Sequence, residues 1–336
     1  MRAVEIRGGF GLDNLSLVER PDPAPGPGQA LVRLRAASLN YRDLLTVEGK
    51  YNPKQKLPLV PCSDGAGEVV AVGEGVTRVQ PGDRVCGLFA QKWISGAPTR
   101  ERLRSTLGGP LDGTLAELAV FDQEGLVKTP EHLSDEEAAT LPCAAVTAWS
   151  ALVTEGGVTA GDAVLVQGTG GVSLFALQLA KLLGARVIAT SSRDEKLERV
   201  RELGASGLIN YREVPEWGKK AKELTGGTGV DNVVEVGGAG TLQQSLQAVR
   251  FGGTISLIGN LSGTKTELLL TQIFMQKIRV NGILVGHRDS FEAMNRAIAL
   301  HRLRPVVDRV FPLEESRAAF EHLAAGGHFG KIVVRV

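Results

Sequence analysis

Cysteine is scarce. Three residues in 336 are an odd number and too few for a disulfide framework, so the fold is expected to hold without cross-links in a reducing cytoplasm. Histidine is scarce as well, with five in all and no two at H-x-x-x-H spacing, which removes one common zinc arrangement. Neither sign of charge dominates: 38 Lys and Arg face 37 Asp and Glu, so nothing resembles the footprint of a nucleic-acid partner or an anionic membrane. No apolar run approaches the roughly twenty residues a spanning helix needs. The start, Met1-Arg2-Ala3-Val4-Glu5, lacks the apolar segment of a signal peptide. Internal repeats are missing, and the only biased stretch is Pro21 to Gly28, where proline removes amide donors and forces a turn. With 43% hydrophobic and 22% charged residues, the chain is expected to be soluble and to form two packed domains.

Glycine, by contrast, is placed with a purpose. Ala163 to Gln167 reads as a strand, Gly168-Thr169-Gly170-Gly171-Val172-Ser173 as a turn, and Leu174 to Leu183 as a helix stopped by Gly184. Gly168 permits the tight turn, Gly170 lets backbone approach a pyrophosphate, and the following helix offers N–H groups and its dipole to the negative charge. Ser173 stands where the usual fingerprint has a third glycine. Strand-like runs follow at Ala185 to Ala189, Val230 to Val236, Thr254 to Gly259 and Ile278 to Val285. Helix-like runs at Asp194 to Leu203, Lys219 to Leu224 and Leu242 to Val249 separate them. That alternation predicts an α/β unit, a doubly wound parallel sheet binding a dinucleotide.

The tip of the second strand indicates which dinucleotide. A carboxylate there would hold a ribose 2′-hydroxyl and repel a 2′-phosphate. The chain offers Thr190, Ser191, Ser192 and Arg193 instead, with Lys196 one turn on, which suits NADPH better than NADH. Two alternatives stand beside this reading: the serines cap the next helix while Arg193 and Lys196 face water, or Asp194 reaches a ribose.

The two ends of the chain have another texture. Short β-rich pieces at Ala30 to Leu34, Gly67 to Val72 and Arg84 to Phe89 are separated by Gly and Pro. The style returns at Val306 to Phe311, a helix from Glu314 to Ala325 and Lys331 to Val336. One discontinuous domain over 1–122 and 287–336 is expected, interrupted by a nucleotide-binding domain over 123–286. The charged insertion Thr99 to Gly109 is a solvated face by default, with a lid or an oligomer contact as alternatives between which the sequence does not choose.

Several spaced segments carry a resemblance. They are Ala36-Ala37-Ser38-Leu39-Asn40-Tyr41-Arg42-Asp43, Asp64 to Val69, Val72-Gly73-Glu74-Gly75-Val76, Pro81-Gly82-Asp83-Arg84-Val85, Thr147-Ala148-Trp149 and the Gly168 turn. In this order they resemble the medium-chain dehydrogenase/reductase superfamily along essentially the whole chain. The resemblance implies a GroES-like β-rich catalytic domain, a six-stranded Rossmann sheet inserted in it, and a cleft between the two where nicotinamide meets substrate. It places Thr147 beside the nicotinamide. Gly259, Asn260, Val285, Phe329 and Lys331 fall in segments bordering the cleft, and Tyr211 near the adenosine 2′-phosphate. It also implies dimerisation by pairing of edge strands such as Ile278 to Val285.

In zinc alcohol dehydrogenases of this superfamily a cysteine stands at the position of Asn40, a Gly-His-Glu triplet at Cys62-Ser63-Asp64, and a third ligand near Cys143. Only the last survives, and the cysteines of the structural-zinc lobe are missing, so no zinc is expected. An improvised set of Cys62, Asp64 and Cys143 is the alternative. Without a Lewis acid, oxidising a simple alcohol is disfavoured, whereas reducing a quinone or an α,β-unsaturated carbonyl needs only hydrogen bonds to the developing enolate. The chain is thus similar to the zinc-free quinone oxidoreductase and enoyl reductase branches. That likeness gives Asn40 an orienting role and Tyr51 a hydrogen-bond or proton donor role. Arg42 stands where zinc enzymes keep a hydroxyl relay; it meets a phosphate or acidic substrate, or pairs with Asp43. A nucleotide-binding protein without catalysis meets the same features, and NADPH consumption in the presence of quinones and enones separates the two.

Overall fold

The computed structural model describes Met1–Val336 as two compact units, Met1–Val146 with Gly286–Val336, and Thr147–Val285. Fifteen strands run along the chain. In the first unit they begin with β1 (Arg2–Ile6), β2 (Leu15–Glu19), β3 (Gln29–Ser38), β4 (Asp64–Val72), β5 (Arg84–Gly87), β6 (Leu118–Asp122) and β7 (Leu126–Lys128). The second unit holds β8 (Ala163–Gln167), β9 (Arg186–Ser191), β10 (Gly207–Asn210), β11 (Val230–Glu235), β12 (Val249–Leu257) and β13 (Arg279–Gly282). The chain then returns to the first unit with β14 (Val307–Pro312) and β15 (Lys331–Arg335). No helix is long and apolar enough to cross a membrane.

Alternation of buried and exposed residues along β3 predicts one face on a core, and the first unit is built that way. Its seven-stranded sheet runs β14-β15-β3-β4-β5-β7, with β6 added beside β3 and all pairings antiparallel except β14 with β15. One apolar cluster gathers Ile6, Leu39, Val47, Leu115, Phe311, Phe320 and Ile332; another lies between Val32, Leu34, Val69, Phe121 and Leu126. Because β3 is antiparallel to both β4 and β15, its end lies beside the starts of those two strands: Ser38 pairs with Asp64 on one side and Val333 on the other. Three polar residues, Asn40, Asp64 and Lys331, are brought to one place by that geometry alone.

The second unit is the expected α/β sheet. Six parallel strands lie in the order β10-β9-β8-β11-β12-β13, the doubly wound order whose direction reverses between β8 and β11. Strands β8 and β11 are buried almost throughout and Val/Leu-rich, as a sheet covered on both faces requires. Leu165, Ile188, Ile209, Trp217, Val233, Leu246 and Ile255 form its core. The expected edge at Ile278 to Val285 is shorter, with β13 confined to Arg279–Gly282 at the end of the sheet.

Two local features differ from the simplest reading of the sequence. The compact units divide at Thr147. Strand β7 pairs with β5, the Arg84 guanidinium donates to Asp135 Oδ1, and the Cys143 N–H donates to Asp64, so 123–146 are held by the antiparallel sheet. The insertion at 99–109 is not wholly a solvated face. It opens with a short helix, Arg100–Leu103, capped by Thr99, but Ser105, Thr106 and Leu107 are buried.

Candidate active site

The glycine turn sits where the alternation predicts, between β8 and the helix Gly171–Leu182, beside the reversal of strand order. Gly168 has φ +70, a left-handed conformation that a side chain resists. Gly170, with φ −77 and ψ 175, adopts backbone angles open to any residue, and a Cβ built there meets no atom of the chain within 4 Å. Glycine at 170 therefore answers no need of the protein's own packing; it leaves room for something that approaches the backbone closely. Together with the unpaired first-turn N–H groups that any helix start carries, this is a cradle that fits a pyrophosphate. Thr169 is buried, while Gly171 and Val172 are half-buried at the helix start. At the third-glycine position, the Ser173 hydroxyl donates to the Gln167 carbonyl at 2.6 Å, so a small polar residue keeps the helix close to the strand.

A network that the sequence reading passed over braces this turn. Glu235, fully buried at the end of β11, accepts from five donors. One oxygen takes the N–H groups of Gly237 and Gly238 at 2.8 and 2.9 Å and the Thr241 hydroxyl at 2.5 Å. The other takes Gln167 Nε2 at 2.7 Å and the Ser245 hydroxyl. Gln167 in turn accepts through Oε1 from the N–H groups of Val236 and Gly237. The ends of β8 and β11 are thereby fastened together across the strand-order reversal. The signal available in the sequence was a polar residue closing each of two otherwise apolar strands.

At the tip of β9 the structure gathers much of the expected phosphate group. Ser191 is buried, Ser192 half-buried and Arg193 exposed as the N-cap of the helix Asp194–Glu202. The Arg193 N–H reaches Ser191 Oγ at 3.4 Å, and no side chain caps the helix that Arg193 opens. The Tyr211 N–H donates to the Ser191 carbonyl at 3.0 Å, which sets the exposed tyrosine next to that tip. Asp194 is held by Asn210 Nδ2 at 2.8 Å. Lys196 lies half-buried on the same helix.

Elsewhere in that unit, Gly259 packs so tightly that a Cβ would lie 2.4 Å from the Val236 carbonyl oxygen, and Asn260 beside it is exposed. Thr147 and Val285 are buried at the unit's two ends, the latter with φ +45. Phe329, in the other unit, is buried with its N–H donating to Asp308.

The first unit contributes the polar centre at the meeting of β3, β4 and β15. The Lys331 ammonium, 4% exposed, donates to the Leu39 carbonyl and, at 2.6 Å, to Asn40 Oδ1. Asn40 Nδ2 donates to Ser63 Oγ at 3.4 Å, Ser63 Oγ donates to Asp64 Oδ1 at 2.7 Å, and Asp64 Oδ2 accepts the Cys143 N–H at 3.0 Å. Ser63 and Asp64 are fully buried, whereas Asn40 is only half-buried. Burial raises the Asp64 carboxyl above its ordinary value, opposed by Lys331 and by the Ser63 hydrogen bond.

Asp43, also fully buried, is pushed up to about 6 by desolvation, with Arg42 opposing and Asp64 adding to the rise. Burial holds the Cys62 thiol well above its ordinary range, the neutral form that neither attacks nor ligates well. Cys62, Asp64 and Cys143 do not assemble into a three-ligand metal set.

Arg42 follows the second of its two readings, the pairing with Asp43. Its side chain is 9% exposed, and its guanidinium is spent on the carbonyls of Leu107 at 2.9 Å and Gly109 at 3.3 Å and on Asp43 at 3.3 Å. It lies over the rings of Tyr51 and Phe89 at 4.8 and 5.1 Å. The two carbonyl contacts tie the 105–109 loop to Arg42. Lys331 turns its charge inward to Asn40. Tyr51 is 50% exposed, its ring shared with Arg42.

Comparison with known proteins agrees with this geometry. Residues 26–131 match the family described as the alcohol dehydrogenase GroES-like domain, and 171–299 the zinc-binding dehydrogenase family. A zinc-type alcohol dehydrogenase-like protein of Schizosaccharomyces pombe is 44% identical over 333 residues, 97% of this chain and 96% of that protein. An acryloyl-coenzyme A reductase of Metallosphaera sedula is 32% identical over 342 residues, 99% of each. The crystal structure of an NAD-dependent alcohol dehydrogenase superposes with a TM-score of 0.92 at 37% identity, covering 100% of both chains.

Proposed function

Because this chain belongs to the medium-chain dehydrogenase/reductase superfamily and is an NAD(P)H-dependent oxidoreductase, we propose that it reduces a quinone or an α,β-unsaturated carbonyl compound with NADPH and without zinc. The observation that carries the reading is the chain Lys331, Asn40, Ser63, Asp64. It fills with fixed hydrogen bonds the positions at which, by the resemblance, zinc enzymes keep their ligands. Asparagine and serine are poor ligands, and both Asp64 oxygens already accept hydrogen bonds. The Metallosphaera relative, by its name, acts on an α,β-unsaturated thioester, the same electrophile class.

Bound NADPH supplies two electrons and a hydrogen as hydride. What the protein adds is control of the oxygen. As hydride adds to the β-carbon, the carbon–carbon double bond shifts and negative charge collects on the carbonyl oxygen. The half-buried Asn40 amide meets that charge through its NH2 group, with exposed Tyr51 as a second donor, and the α-carbon takes its proton from Tyr51 or water. Gly168 to Ser173 hold the pyrophosphate. Ser191, Ser192, Arg193, Lys196 and Tyr211 meet the 2′-phosphate, helped by Asp194 being engaged by Asn210.

The test is nicotinamide absorbance with a panel of quinones, enones and simple alcohols, beside titrations of NADPH and NADH and a metal analysis. Turnover of an enone with NADPH bound at least about tenfold more tightly than NADH supports the reading. Tight binding without turnover of any acceptor replaces it with an idle nucleotide-binding protein, and stoichiometric zinc with alcohol turnover replaces it with an alcohol dehydrogenase.

A further inference from the structure

We infer that Lys331 is a positioning residue that fixes which end of the Asn40 amide faces the substrate; the inference rests on the reading of Asn40 as the donor to the carbonyl oxygen. An ammonium has three donors and no acceptor, so its 2.6 Å contact commits the amide oxygen to Lys331 and turns the nitrogen the other way. Asn40 is also the N-cap of the helix Tyr41–Val47, in a capping box with Asp43, so its side-chain oxygen faces the first turn of the helix as well as Lys331. Asp43 Oδ2 completes the box by accepting the Asn40 N–H at 2.8 Å.

The polarity then runs one way from cation to carboxylate: Lys331 donates to Asn40, Asn40 to Ser63, and Ser63 to Asp64. Rotating the amide by half a turn would set an NH2 group against the ammonium and lose both links. The Asn40 NH2 group is directed to Ser63 through a long 3.4 Å contact and also supports the Asp64 carboxylate. Lys331, Ser63 and Asp64 are buried, so half-buried Asn40 is the member of the chain that a ligand can reach. An N–H held in this way selects acceptors. A carbonyl or quinone oxygen gains as charge develops on it, while a group that presents a hydrogen of its own meets like polarity.

A double-mutant cycle on the NADPH-loaded enzyme with methyl vinyl ketone as acceptor tests this. Lys331→Met is expected to lower kcat about tenfold or more and Asn40→Ala about a hundredfold, while the Kd for NADPH stays within about twofold. The double variant is expected to be no slower than Asn40→Ala alone, and Lys331→Arg, which keeps the cation, is expected to recover most of the loss. If Lys331→Met costs the same factor in the Asn40→Ala background, or raises the NADPH Kd more than it lowers kcat, Lys331 acts by another route and the inference fails while the proposed reaction stands. Unchanged turnover in Asn40→Ala removes the donor reading itself and the inference with it. Should Lys331→Met not fold, Lys331→Gln, whose amide both donates and accepts, replaces it: a partial loss of kcat that vanishes in the Asn40→Ala background supports the inference, and a loss of the same factor in both backgrounds, or none in either, overturns it.

Discussion

Asp43→Asn offers a measurement that isolates one buried charge. Asp43 is fully enclosed and its carboxyl titrates at about 6 instead of 3.8, chiefly because burial penalises the ionised form more than Arg42 compensates. The folded state therefore holds the proton more tightly than the unfolded chain. Stability from this group is complete below the unfolded value and is lost as pH rises through the folded one. The full loss corresponds to ~3 kcal/mol, since 1.36 kcal/mol accompanies each tenfold change in proton affinity. Asparagine mimics the protonated acid at every pH. Its effects on the Asn40 and Arg42 contacts are independent of pH, so they cancel when conditions are compared.

The stability difference, variant minus native, is thus expected to increase in favour of the variant by roughly half of that loss between about pH 5 and pH 8. Urea denaturation at both pH values measures it, with hydrogen exchange at the β3 amides assigning the transition to this sheet. A difference that stays constant, or shifts the other way, would refute the account of Asp43 as a desolvated carboxylate.

Two further substitutions probe the nucleotide-binding unit. Gly170→Ala places a Cβ in open space at allowed backbone angles, so Tm is expected to change little while the NADPH Kd climbs at least about tenfold; unchanged binding in a titration would show that the space above Gly170 is not the phosphate cradle. Glu235→Gln places an NH2 group among five donors and is expected to cost ~3 kcal/mol in urea denaturation. A cost below about 1 kcal/mol would mean that the carboxylate is not the hub the geometry describes.

Much of this arrangement could be read from the sequence because it is local. Gly168 to Ser173, the β-branched runs and the glycines closing each helix announce strand, turn and helix within a dozen neighbours, and the six-stranded parallel sheet follows from their alternation. What escaped is non-local. Lys331 meets Asn40 across 291 positions, Gln167 meets Glu235 across 68, and Arg42 is consumed by backbone carbonyls 65 and 67 residues away. Neither periodicity nor spacing encodes such partners. The sequence drew attention to Asn40, Arg42 and Lys331 and to the neighbouring pair Arg42 and Asp43, but not to the distant partners. The division at Thr147 escaped for a related reason: β7 is only three residues long, and its allegiance is set by pairing with β5 rather than by a pattern of its own.

Glu235 has one more consequence. A segment wound around an internal anion has already surrendered its freedom of movement when the chain folds, so 236–241 adds no ordering entropy to be overcome when a dinucleotide arrives. Encounter then depends on the ligand finding a finished receptor rather than on a closing motion, and the same rigidity gives a misfitting ligand no means of reshaping it.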